Sequence, residues 1–508
     1  MATLLGGAGT GSQVFQMLPD ESKKAPTSTG ISKPVVFTLC LIALVEGMDL
    51  VLIGATSWVW FEAPPIGVVG WSFQMNGYLA TVQGIFQNAG AAFWGIAADR
   101  GYLNRKWILV YAAAAQALCT MALGYVETIP PMWFIRALNG FFVAALRPIS
   151  NGLVADLVPE MRVQRIPAGD RSSLAMYYFG LMQGLWSLGL PATGMIGSPI
   201  APDMLTIPVL GQVVGWRVAF YVIAMAAVLT SILAALVMPE VPSAPLTEEQ
   251  KAQSPAEGAK HEIKTMLTFL RYPSFVLMIC QGIFGSIPWL VMGNLQMFML
   301  LGGLTKEQTI PVSAMGLFGV VGGFLGGVIS DALTRVIGPR GRPATAMATV
   351  ALGVPLMYTL YWGLAPWYTP EYFTVLNICI IMAAFNVLAN WAQPGCNFPI
   401  LSQIVTAKDR NKVICWEMAF ENTMANILGN NAPAFVIWYL SLPPIDVDPF
   451  NPKNLDMAES LGLAQVFTIC TPWVICFFIY SGLLWSFPVD LKRVQQEKEI
   501  EGSLTEMS

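Results

Sequence analysis

The chain has 508 residues, of which 55% are hydrophobic and 11% charged, and its formal net charge is −4. Soluble proteins carry roughly 25% charged residues, so this composition excludes an ordinary soluble domain and describes an integral membrane protein. The acidic balance, with no basic tract outside short loops, excludes a nucleic-acid partner and leaves lipid and solute.

The first 33 residues form a polar arm without a cleavable signal pattern. Its run Gly6-Gly7-Ala8-Gly9 is not a phosphate loop, because no strand precedes it and no lysine follows. Apolar stretches of the length needed to cross a bilayer then recur near 35–61, 72–98, 107–126, 131–155, 173–198, 216–238, 273–301, 311–335, 344–364, 372–398, 411–440 and 462–487. These predict twelve spans. The long polar stretch 239–271 joins two six-span halves, 34–238 and 272–488, with a tail at 489–508. The eight cysteines lie in or beside apolar stretches with no C-x-x-C pair, and the single histidine, His261, sits in the linker. No metal site, cofactor or enzyme constellation is expected.

Span two ends in Gly95-Ile-Ala-Ala-Asp99 and runs into Arg100, Arg105 and Lys106; span eight ends in Gly327-Val-Ile-Ser-Asp331 and runs into Arg335, Arg340 and Arg342. Glu46-Gly47 in span one precedes its motif glycine by 49 residues, and Gln281-Gly282 in span seven precedes its own by 46. Asp170-Arg171 and Asp409-Arg410 repeat before spans five and eleven. A duplicated membrane unit of this kind marks a transporter whose halves rock about a central site. Of 27 Lys and Arg residues, 22 fall on the side shared by the arm, the linker and the tail, three on the other side and two inside span four. That bias predicts cytoplasmic termini.

Ionisable residues inside spans cost about 2.5–3.5 kcal/mol even on the lenient insertion scale, so each is a functional candidate. They are Glu46 and Asp49 in span one, Arg136 and Arg147 in span four, and Glu417 and Glu421 in span eleven. Arg136 and Arg147 fall within about 20° of one helix face, and Glu46 and Arg147 lie at similar depths, roughly 16 and 13 Å. A Glu46–Arg147 pair is therefore expected, with Asp49 a turn further out and Arg136 in the outer third. The pair is either a structural ion bridge or a titratable group competing with an anionic solute for the arginine. Glu417 is expected to snorkel, whereas Glu421, Gln281 and Asn390 are candidates for the cavity. Other amides, among them Asn88, Gln183, Asn386 and Asn426, bond either solute or neighbouring helices. Glycines 319, 323 and 327 predict a close packing face on span eight.

These motifs resemble the major facilitator superfamily over essentially the whole chain. Gly95, Asp99 and Arg100 match the start of that family's loop 2–3 motif, after which the loop departs; Arg136-x-x-x-Gly140, Gly189-Leu-Pro191-Ala-Thr-Gly194 and Gly215-Trp216-Arg217 are also family-like. Within the family, Arg136 and Ala155-Asp156-Leu157 resemble the spinster-like lipid transporters, although Val143 stands where those carry an acid. The resemblance implies an all-α membrane fold, two pseudo-symmetric six-helix bundles with alternating access. It also implies that Asp99 reaches the start of span eleven and Asp331 that of span five, where helix dipoles favour carboxylates. The favoured reading is a monomeric secondary transporter of a small, anionic organic solute coupled to protons. A uniporter or lysolipid-type exporter of the same fold is the alternative, and a transport-inactive receptor or sensor is one of another class.

Overall fold

The structure is a computed structural model that describes residues 31–99, 101–157, 173–208, 211–240, 264, 266–405, 410–445 and 454–507. Helix α1 (Lys33–Thr56) opens on a proline, whose missing N–H costs nothing in a first turn. There follow α2 (Phe73–Asp99), α3 (Arg105–Tyr125), α4 (Ile129–Leu157), α5 (Ser173–Ile200) and α6 (Gly215–Val237). Asn104 caps α3 by accepting the Lys106 N–H at 3.0 Å. Between α5 and α6 lies an antiparallel hairpin of β1 (Met204–Ile207) and β2 (Gly211–Val214), which the sequence pattern does not announce.

After the linker come α7 (Pro273–Val291), α8 (Phe318–Ile337), α9 (Gly341–Tyr358), α10 (Val375–Ala389), α11 (Arg410–Gly429) and α12 (Leu455–Met507). Short pieces extend several of them. Leu295–Leu301 continues α7 past a 3-10 turn, and Thr309–Ala314 precedes α8. The stretch expected to be a single span eleven breaks at Asn430-Asn431, and Ala432–Tyr439 restarts with Pro433 in its first turn. Span ten also ends early, at Ala389, before a π-helical turn at Gln393–Asn397.

Seven helical stretches among the described residues are long and apolar enough to cross a membrane, one of them covering Thr309–Gly363. Helices α2 and α11 are not among them because they carry amides and acids, namely Gln83, Asn88, Glu417, Glu421 and Asn426. Those side chains turn toward other helices.

The halves repeat one packing scheme. α1 lies along α5, α2 along α4 and α3 along α6; α7 lies along α11, α8 along α10 and α9 along α12. α1 and α5 approach through Gly47 and Gly189, where a Cβ on either would strike the other helix's backbone. On α8 the close face is Gly322 and Gly326, set against Asn386, Val387 and Trp391. Of the expected 319, 323 and 327 face, Gly319 does approach the Asn390 side chain, where an added Cβ would lie 3.1 Å away, whereas Gly327 meets nothing within 4 Å.

The halves meet mainly at the end away from the basic loops. There Lys306 Nζ lies 2.5 Å from Asp203 Oδ1, and Gln296 donates to Ser198 and, at 2.7 Å, to Thr309. Along α2 and α11, Asn88 donates to Thr423 at 3.0 Å, Thr81 to the Asn426 carbonyl at 3.0 Å, and Asn431 to Thr81 at 3.0 Å. At the basic end, a Cβ added to Gly95, Gly180, Gly184 or Gly327 would meet nothing within 4 Å. Among the described residues, the contacts between the halves gather at the end away from the basic loops.

Candidate solute-binding site

A recess of about 220 Å³ lies between α1, α4 and α5. Its polar wall is Glu46, Arg147, Ser150, Asn151, Gln183 and Trp186, and Ile42, Ala43 and Met182 supply the apolar one. The Gly47–Gly189 approach holds α1 close enough to α5 for Glu46 and Trp186 to share this space. Pro148, which cannot donate a helical hydrogen bond, follows Arg147 directly in α4.

Arg147 Nε sits 3.8 Å from Glu46 Oε1, so the structure brings together the two residues matched by depth. The contact is long for a charge-assisted bond, which prefers about 2.7–2.9 Å. The guanidinium carbon lies 3.8 Å from the centre of the Trp186 ring, a cation–π seat that fixes its plane. Arg147 Nη2 and Ser150 Oγ are buried without a hydrogen-bond partner, while Trp186 Nε1 is turned toward the Glu46 carboxylate. Unmet buried donors cost about 1–3 kcal/mol each, so two beside one recess describe a site shaped for an acceptor. Ser150 and Trp186 were not singled out in the sequence, though each lies three residues, hence one turn, after a residue that was.

Arg136 and Asp49 belong elsewhere. The structure separates the two arginines of the expected ladder: Arg136 lies in a sealed network, not in the recess. Asp49 accepts from Thr120 at 2.5 Å and from Asn139 at 3.1 Å. Asn139 accepts from Gln83 at 2.9 Å and from Arg136 at 3.3 Å. All five residues are buried. Asn139 was legible as the residue one turn beyond Arg136; Thr120 on α3 carried no signal.

The C-terminal candidates divide similarly. Gln281 is buried and donates to the Met278 carbonyl at 2.9 Å, and Asn390 donates to the Asn386 carbonyl at 2.7 Å, so both are engaged by their own helices. Glu421 accepts from Ser286 on α7. Glu417, expected to snorkel, is instead buried. Asp331 pairs with Arg342 at 3.0 Å, and Arg342 also donates to the Gly395 carbonyl at 3.0 Å. Gly95 and Asp99 end α2, but the Asp99 side chain, Arg100 and Asp170-Arg171 lie outside the described residues and side chains, as do Asp409 and the side chain of Arg410.

Paired helical halves that repeat one packing scheme, with a charged recess in the first, define the architecture of a membrane transporter. The family model of the major facilitator superfamily matches residues 38–416, and the chain belongs to that superfamily. No curated protein matches it. Among solved structures, it is similar to a bacterial homolog of the human lysosomal transporter Spinster, inward-facing and unoccupied, with a TM-score of 0.68 at 17% identity over 91% of this chain and 99% of that one. It is also similar to a D-xylose–proton symporter (TM-score 0.56, 17% identity, 86% and 96% covered) and a nucleoside transporter (0.55, 13%, 90% and 99%). At these identities the likeness is one of fold.

Proposed function

We propose that the chain is a secondary transporter that carries a small organic anion together with a proton, using Arg147 as the anion seat and Glu46 as the proton carrier. The observation that carries this reading is the pair of unpartnered donors, Arg147 Nη2 and Ser150 Oγ, beside a recess that already holds a loose Glu46–Arg147 pair. An entering carboxylate takes the arginine, and Glu46, losing its partner in a low-dielectric site, takes a proton. The recess then keeps one net charge throughout, which spares the cost of moving an uncompensated ion through the bilayer.

The size of the recess supports a small solute over a lysolipid: about 220 Å³ is below the roughly 300–1,000 Å³ of drug-sized ligand pockets. On this reading the basic end is cytoplasmic, the molecule is open inward and acts as a monomer, and the Gly95–Asp99–Arg100 and Gly327–Asp331 segments form its inner gate.

A thermal-shift screen of purified protein across organic anions, sugars, amino acids and lysolipids should give stabilisation by small carboxylates alone. With the best of them in proteoliposomes, Arg147→Gln should abolish uptake, and Glu46→Gln should keep exchange while losing accumulation driven by a pH gradient. Normal transport by Arg147→Gln sinks the proposal.

A further inference from the structure

The C-terminal half contains two acids that the solute recess does not use. Glu417 and Glu421 stand one turn, about 6 Å, apart on one face of α11, and are 1% and 5% exposed. Ser286 of α7 donates to Glu421 Oε1, while Glu421 Oε2 and Glu417 Oε1 have no hydrogen-bond partner. Space for the Glu421 carboxylate against α7 exists because residue 282 is glycine: a Cβ there would collide with it.

No described basic side chain offsets these charges. α7 offers Gln281, Ser286 and Cys280, and α12 offers Cys476 and Tyr480 toward Glu421. The facing part of α2 offers Asn88, and Phe398–Gln403 contains no titratable residue. The side chains of Arg410 and Lys412, in the first turn of α11, lie outside those described. Two carboxylates this close and this buried cannot both be ionised without a compensating positive charge. Four carboxylate oxygens and one hydroxyl already donating are too few and too crowded for a hydrated metal cation, whereas a single proton satisfies an orphaned oxygen and halves the charge.

We propose that Glu417, Glu421 and Ser286 form a proton-binding site in the C-terminal half, which holds one proton between the two carboxylates and is independent of the Glu46–Arg147 recess. Because the site ties α7 to α11, and α11 carries the bonds to α2 through Thr423 and Asn426, losing that proton bears directly on the contact between halves.

The test is infrared difference spectroscopy of the full chain in nanodiscs at neutral pH. Wild type and Glu46→Gln should both show a protonated-carboxyl C=O band that disappears in E417Q/E421Q. Ser286→Ala, which removes the hydrogen bond to Glu421, should keep the band at a shifted frequency. An unchanged band in the double variant, or none in wild type, overturns the site; so does loss of the wild-type band on adding sodium at constant pH, which would make it a sodium site. If the double variant aggregates on size exclusion, Ser286→Ala decides, since an unshifted band there refutes the assignment.

Discussion

Neutralising both charges of the sealed network in the N-terminal half should damage the fold no more than neutralising one. Asp49 is held by Thr120 at 2.5 Å and Asn139 at 3.1 Å, and Arg136 reaches it through Asn139 at 3.3 Å, with every participant buried. Asp49→Asn leaves Arg136 as an uncompensated buried cation, and Arg136→Gln leaves Asp49 as an uncompensated anion. Each change should cost about 3–5 kcal/mol, the usual penalty for breaking a buried pair from one side. The double variant keeps groups of similar size able to hydrogen-bond and restores neutrality, so it should fall no further than either single variant. The coupling is then about 3–5 kcal/mol, measurable as a double-mutant cycle by SDS unfolding in mixed micelles. Effects that add within about 0.5 kcal/mol would show that the two charges do not feel each other and would refute the reasoning.

At the recess, Ser150→Ala keeps the ring under Arg147 but removes the unpartnered hydroxyl. Loss of about 1.5 kcal/mol of bonding to a charged solute should raise Kd about tenfold in calorimetry, with the fold unchanged. At the end where the halves meet, Lys306→Met removes a partly exposed inter-half ion pair of about 0–1 kcal/mol, so spin-label distances across that end should show the separated form up to about fivefold more populated and no more. Gly322→Leu would drive a side chain into the Asn386 and Val387 backbone and should prevent α8 from packing on α10, read as aggregation on size exclusion; the same change at Gly327, which faces open space, should not.

Much of this was legible in the chain because membrane helices obey simple geometry. Hydropathy located the helices, the 22-to-3 split of basic residues distinguished the ends, and rise per residue placed Glu46 opposite Arg147. What stayed hidden depends on tertiary angle. Nothing local marks Thr120 or distinguishes Asn139 from any polar helix residue, yet together they hold Asp49 in a buried network away from the Glu46–Arg147 recess. Glu417 looked able to reach water because its depth was visible, but the neighbours covering it were not. The hairpin at 204–214 is two four-residue strands, too short for alternation to register.

The seam between α2 and α11 is joined by polar bonds. Its partners are amides, hydroxyls and backbone carbonyls at Thr81, Asn88, Thr423, Asn426 and Asn431, and such bonds exchange nearly one for one with bonds to water. Parting them exposes little hydrocarbon, so the seam stores little free energy in either position. A waxy seam would have fixed the molecule in one posture, demanding a large input at every turnover. A seam of exchangeable polar bonds needs only a modest change in free energy to part, which is what the proposed cargo-driven cycle requires.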